Sequence, residues 1–95
     1  MTFHTVRVLL ELNRGPRYGL EIARATGLKG GSLYPILSRL EEAGWVQGEW
    51  EGIDPHDEGR PPRRYYAITD AGAGQMWSAL AEAGLTETEP REEQP

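Results

Sequence analysis

Apolar residues return every three or four positions through the first half of the chain, and every second position through part of the rest. The first period predicts a helix over 2–13. Phe3, Val6, Leu9 and Leu10 face inward there, with Val8 and Leu12 as further inward candidates, while His4, Arg7 and Glu11 face water. Arg14-Gly-Pro-Arg17 ends it, because glycine followed by proline cannot continue a helix. A second, shorter helix follows over 18–26, with Leu20, Ile22 and Ala23 inside and Glu21 and Arg24 outside. The turn 27–30 carries Leu28, placed to plug the angle between the helices on either side. The third helix has Leu33, Ile36, Leu37, Leu40 and Ala43 on its inner face. Its outer face carries Ser32, Tyr34, Pro35, Ser38, Arg39 and Glu42. Ser32 reads as the N-cap, since its hydroxyl can accept from amides two or three residues on. That cap puts Pro35 in the first turn, where a missing N–H costs nothing. Gly44 stops the helix from the C′ position, and Trp45 and Val46 turn back onto the core.

From residue 46 the period falls to two. Val46 and Trp50 alternate with Gln47, Glu49 and Glu51, and Tyr66 and Ile68 alternate with Tyr65 and Ala67, which predicts two half-buried strands. Trp45 and Trp50 are both expected in the core. The connection 52–62 is rich in Gly, Pro and Asp and too long for a tight hairpin turn, so it reads as a loop. Thr69 or Asp70 caps a fourth helix to about residue 83, stopped by Gly84, with Met76, Trp77 and Leu80 as its apolar stripe. Gly72 and Gly74 weaken that helix by roughly 1 kcal/mol each relative to alanine. The expected fold is therefore mainly α with a small β-hairpin: a winged helix-turn-helix plus a short C-terminal helix. The chain divides into a winged unit over 1–69, a C-terminal helix over 70–84 whose apolar stripe could serve as a dimer interface, and an acidic tail over 85–95 without periodicity, expected to be disordered.

Composition changes this picture in three places. Ninety-five residues with 38% apolar content make one small domain whose core is marginal, and a dimer interface would add to it. Without cysteine there is neither a disulfide framework nor a Cys-based zinc site. No apolar run is long enough to span a membrane, and the N-terminus lacks a signal-peptide pattern, so a cytoplasmic location is expected. The net charge of −5 runs against nucleic-acid binding, but the tail from residue 85 carries −3 of it, leaving −2 for the rest. Phosphate contacts need only a local basic patch. Arg60, Arg63 and Arg64, around Pro61 and Pro62, form the clearest such cluster. The prolines stiffen the approach, so the arginines lose less entropy on clasping a backbone or a minor groove. The bland alternative is a solvated hairpin whose arginines offset Asp57 and Glu58.

Three separate stretches stand in the order of a known family. They are Gly15-Pro-Arg-Tyr-Gly-Leu-Glu-Ile22, Ser32-Leu-Tyr-Pro-Ile-Leu-Ser-Arg-Leu-Glu41, and Gly59-Arg-Pro-Pro-Arg-Arg-Tyr-Tyr66 followed by Ile68-Thr-Asp-Ala-Gly72. Together they resemble the PadR-like winged-helix transcriptional regulators over roughly 3–80. The resemblance implies a homodimer on a near-palindromic DNA operator, usually acting as a repressor, with the C-terminal helix packed on its partner. Family members often carry an aromatic where this chain has Leu20. By resemblance, Ser32, Tyr34, Pro35 and Arg39 lie where the recognition helix meets the major groove. Ser32 and the helix N-terminus suit a phosphate, Tyr34 a phosphate or base edge, and Arg39 a phosphate or guanine. Lys29, on the preceding turn, has a common phosphate position. Against these stand plainer roles: Tyr34 covering the helix flank and Arg39 pairing with Glu42. Phe3, Val6, Met76, Trp77 and Leu80 make up the expected partner-facing surface. Trp77 is also where a small planar aromatic ligand would stack between subunits, as in some relatives, although a core role is the simpler reading.

Catalytic chemistry has no footing in the sequence. There is no glycine-flanked serine with a histidine partner, and the glycines of 27–31 lack the Lys-Ser/Thr pair of a phosphate loop. His56 with Asp54, Asp57 and Glu58 lacks the spacing of a convincing metal site, and His4 stands alone. No enzyme, cofactor or metal is expected. Two other roles remain beside the regulator: a winged helix that docks on a basic protein partner, and an architectural accessory factor in recombination.

Overall fold

The computed structural model describes residues 1–84; the expectation of a disordered acidic tail over 85–95 lies outside the described residues. Eight elements follow in order: α1 (Phe3–Leu12), β1 (Arg17–Tyr18), α2 (Gly19–Thr26), α3 (Gly30–Glu42), β2 (Val46–Trp50), α4 (Pro55–Glu58), β3 (Arg64–Ile68) and α5 (Asp70–Glu82). The three strands form an antiparallel sheet in the order β1-β3-β2. β2 and β3 are the wing, in a register that sets Val46 opposite Ile68 and Trp50 opposite Arg64. The architecture is a winged helix-turn-helix with a fifth helix returning to pack on α1.

Thr2 caps α1, its hydroxyl accepting from the Thr5 amide at 3.2 Å. The inward stripe of this helix is Val8, Leu9 and Leu12, all essentially without exposure, and Phe3 and Leu10 lie outside it. β1 was not expected. Two residues carry no readable period, and they become a strand only because Arg17 and Tyr18 pair with Tyr66 and Tyr65 of β3. In α2, Ile22 and Thr26 are buried while Leu20 is exposed. The Glu21 carboxylate accepts from the Tyr18 amide at 3.1 Å, and Gly27, at φ 76°, takes the left-handed stop.

α3 starts earlier than its capping signal implied. Lys29, not Ser32, is the N-cap, and the Ser32 and Leu33 amides both donate to the Lys29 carbonyl, at 2.9 and 2.8 Å. Ser32 thus sits inside the first turn, and Pro35 falls one turn further in, leaving the Gly31 carbonyl without its helical donor. Helix propensity disfavours Gly30-Gly31, but burial of Leu33 on one side and Leu28 on the other holds the segment helical. The far end follows expectation. Gly44 takes φ 78°, its amide donates to Glu41, and the Trp45 amide donates to Leu40 at 3.0 Å, a Schellman closure.

α5 is seated by a contact that a side chain would prevent. Thr69 caps it, accepting from the Gly72 amide at 3.0 Å and donating to the Gly44 carbonyl at 2.7 Å. A Cβ on Gly72 would run into the Trp45 carbonyl and lie 3.0 Å from Ile68. Gly72 is therefore a packing requirement as well as a weak helix former, whereas Gly74 faces open space. Met76 and Leu80 then complete a core that also holds Val8, Leu9, Ile22, Leu33, Leu37 and Tyr66.

Trp50 corrects the expectation of a core residue: it is 65% exposed. It ends β2 beyond the packed helices, and its cross-strand neighbour is Arg64 rather than an apolar side chain. Trp45 is half-buried against the core. The 52–62 connection holds the short α4, capped by Asp54 through the His56 amide at 2.9 Å and closed by Gly59 at φ 68°.

Candidate nucleic-acid interface

The outer face of α3 is formed by Gly31, Ser32, Tyr34, Pro35, Ser38, Arg39 and Glu42, all exposed. At about 100° per residue, Gly31, Pro35, Ser38 and Glu42 hold the centre, with Tyr34 on one edge and Arg39 and Ser32 on the other. Tyr34 and Arg39 are separated by about 140° around the helix, so they do not act at one point. Tyr34 leans toward α2. Its hydroxyl lies where a Cβ on Gly19 would be, and that Cβ would also come within 2.8 Å of the ring carbon bearing it. Only glycine lets the tyrosine take this place, and its ring remains 47% exposed. Arg39 turns the other way, into a groove of about 490 Å³ with Thr2, Thr5, Gln75, Ser78 and Glu82, between the chain start and α5. No ion pair joins it to Glu42 among the described residues.

The wing arginines, alike in sequence, differ in what they touch. Arg60 grips Glu51 with both terminal nitrogens, at 2.7 and 3.0 Å. The same carboxylate accepts from the Arg63 amide at 3.2 Å, while the Glu51 amide donates to the Arg63 carbonyl at 2.7 Å. Glu51 is thus a latch across the base of the wing connection. The Arg60 hydrogen bonds, helped by the Arg63 amide and opposed by desolvation, pull its pKa down to about 2. Arg64 bonds Glu41 of α3 at 2.8 Å, which raises the guanidinium's pKa and ties the wing to α3. Gly48 makes room for that bridge: a Cβ there would lie 2.7 Å from both charged groups. Burial, with Glu41 nearby, raises the pKa of the adjacent Tyr66 hydroxyl.

Arg63 alone among the three has no carboxylate within ion-pair reach among the described residues. Its guanidinium lies over the Tyr18 ring at 4.5 Å, a placement that keeps the charge at the surface. Lys29, at the N-cap of α3, is exposed and likewise unpaired among them. Two of the three wing cations are therefore neutralised within the fold, by partners 9 and 23 residues away in the chain.

Next to the groove that holds Arg39, and sharing Ala79 and Glu82 with it, α1 and α5 enclose a mainly apolar groove lined by Phe3, Val6, Ala79 and Leu80. Phe3 is 71% and Trp77 45% exposed, and Val6 is half-buried. Met76 belongs wholly to the chain's own core and presents no surface, and Leu80 is nearly as buried. The expected partner-facing set thus divides into an outward pair, a groove wall and a buried anchor. No group of three or more His, Asp or Glu side chains among the described residues is arranged to hold a metal ion. No helix among them is long and apolar enough to cross a membrane.

The sequence profile of the transcriptional regulator PadR-like family matches residues 8–78. The chain belongs to that family. Solved structures agree with the membership. A transcriptional regulator from Clostridium thermocellum superposes with a TM-score of 0.75 at 26% identity, over 90% of this chain and 84% of that one. A PadR-like transcription factor from Bacteroides fragilis does so with a TM-score of 0.74 at 26% identity, over 83% and 78%. A PadR family transcriptional regulator from Eggerthella lenta gives 0.68 at 27% identity, over 82% and 71%. No curated protein gives a significant match. The PadR-like span takes in α2, α3, the whole wing and α5 as far as Ser78. Phe3, Val6 and Leu80, which line the α1–α5 groove, fall outside it.

Proposed function

We propose that this PadR-like chain is a sequence-specific DNA-binding repressor that works as a homodimer. The observation that carries the reading is the outer face of α3, a strip of Gly31, Ser32, Pro35 and Ser38 with Glu42 at its C-terminal end, beside a wing whose Arg63 has no carboxylate partner among the described residues. Such a strip lets a helix lie close in a major groove, while Lys29 and Arg63 reach backbone phosphates on either side. Ser32, now inside the first turn, offers its hydroxyl from the same end, and Pro35 and Tyr34 supply apolar contact. Arg39, turned toward α5, is the weakest candidate of the set. Arg60 and Arg64 act mainly by holding the wing in shape.

The exposed Phe3 and Trp77, with the groove walled by Val6 and Leu80, support pairing of two chains through α1 and α5. Two reading helices would then enter successive major grooves about 34–36 Å apart. Repression follows from occupancy, since a dimer seated on a promoter excludes polymerase without further chemistry. The acidic balance of the chain and the internal pairing of Arg60 and Arg64 favour one other reading, a winged helix docking on a basic protein.

Fluorescence anisotropy against duplexes from the chain's own upstream region, across a salt series, tests the proposal. A complex well below micromolar that weakens with salt and saturates at two chains per site is the expected result. Binding no tighter than the non-specific range of roughly 10⁻⁴–10⁻⁶ M for every genomic fragment overturns it.

A further inference from the structure

Between the N-terminal end of α2, the reading helix and the base of the wing lies an open cleft of about 390 Å³. Tyr18, Leu20, Tyr34, Trp50 and Tyr66 line it together with Arg63 and Arg64. Three large side chains around it are exposed: Trp50 at 65%, Leu20 at 49% and Tyr34 at 47%. Apolar surface gathered around one cleft in this way marks a contact site more often than a chance scatter does.

Its electrostatics set it apart from the rest of the molecule. In a chain of net charge −5, the described residues lining this cleft include no carboxylate and two arginines, of which Arg64 is already paired with Glu41 and Arg63 is not. Arg63 is the wing cation with no carboxylate partner among the described residues. Arg64 lies across the Trp50 ring at 5.5 Å and the Tyr66 ring at 5.8 Å, held there by Glu41. The N-terminus of α2 beside it is already capped, the Glu21 carboxylate accepting from the Tyr18 amide at 3.1 Å, so Arg63 is the charge left to an incoming anion. The cleft therefore favours an occupant that is anionic along one edge and apolar along another. It is also continuous with the reading face, because Tyr34 belongs to both.

We propose that this cleft seats one deoxyribose–phosphate strand of the duplex, with the Trp50 indole covering a sugar face and Arg63 bonding the adjoining phosphate. The inference rests on the DNA-binding reading above and adds Trp50 as a contact that the pattern of the sequence had assigned to the core. A nucleic-acid strand alternates an anionic group with a weakly polar ring, which is the alternation this lining presents.

The test uses the full chain and anisotropy titrations of two duplexes, the operator and an unrelated sequence. Trp50→Ala should weaken both by roughly five- to tenfold with an unchanged salt slope, because the lost contact is apolar. Trp50→Phe should restore most of the affinity. Saturating duplex should also shift the tryptophan emission of the wild-type chain, and most of that shift should vanish in Trp50→Phe, a readout that does not depend on the alanine variant folding well. Wild-type affinity in Trp50→Ala, or an emission shift that persists in Trp50→Phe, overturns the proposal while leaving the DNA-binding reading intact. An emission change produced by a free deoxynucleoside monophosphate and not by duplex overturns it in favour of a small-anion pocket. A wild-type chain that binds no duplex at all removes the underlying reading, and this inference with it.

Discussion

The outer face of α3 and the wing look opposite in sequence and exchange roles in the structure. The wing carries three arginines within five positions, and the central strip of α3 carries no cation at all. Yet Arg60 and Arg64 are bound to Glu51 and Glu41, so among the described residues the wing offers one free guanidinium where its sequence offers three. The outer face of α3, by contrast, carries no ion pair among the described residues. The lesson is that a cluster of cations counts toward a phosphate surface only after its internal carboxylates are subtracted.

The comparison breaks most severely at Gly19, because Tyr34 reaches its place only over a residue without a side chain. Gly19→Ala should drive the Tyr34 ring outward and destabilise the fold by about 1 kcal/mol, the low end for overpacking, because the half-exposed ring can move aside. Urea denaturation would show it, and adding Tyr34→Ala should return part of the loss; equal loss in the double variant would mean the contact is not the cause.

A smaller effect separates the arginines. Arg63→Ala should weaken DNA binding across all sequences and lower the magnitude of the salt slope by about one. Arg64→Ala should leave that slope unchanged and instead lower the thermal midpoint, since Glu41 loses its partner. If the two variants have the same slope, the distinction between free and engaged arginines fails. Converting one kind into the other sharpens the point. Glu51→Gln releases Arg60, and anisotropy should then report a steeper salt dependence, by up to about one unit, with faster amide exchange through the wing connection. An unchanged slope would mean that Arg60 stays away from the duplex even when freed.

The slightest effect is the acid response of the latch. Glu51 is pulled from an ordinary 4.5 to about 2 in the folded chain, so its contribution is complete above pH 4.5 and is lost as pH falls toward 2. Carboxyl chemical shifts followed by NMR should show Glu51 titrating near 2, well below the ordinary carboxylate value of 4.5. Titration at the ordinary value would mean that the Arg60 pair does not form in solution.

Much of the fold was legible because its signals are local. Gly27, Gly44 and Gly84 each adopt the left-handed conformation that a helix stop requires, and Thr69 caps α5 through its own hydroxyl. Ser32 misled for a related reason. It is a good cap by residue type, but burial of Leu33 and Leu28 recruited Gly30-Gly31 into the helix and moved the start to Lys29. Trp50 misled because a period of two tells which side of a strand a residue is on, without telling how far the core extends beneath it. β1 and α4 were too short to carry any period.

The order of the helices and the wing, the glycine stops, the inner face of α3 and the motifs of the PadR-like family were readable along the chain, whereas the inner face of α1 was misplaced, with Phe3 and Leu10 exposed. Each readable feature depends on φ/ψ preferences or on a repeat a few residues long. Only the tertiary structure decided which cations are free, that Met76 faces inward, and that Trp50 and Tyr34 flank one cleft. Those outcomes depend on contacts between groups such as Glu41 and Arg64, which no local pattern links. An ion pair or a close packing contact is set by distance in space, and the spacing of residues along a chain does not carry that distance until the elements have packed.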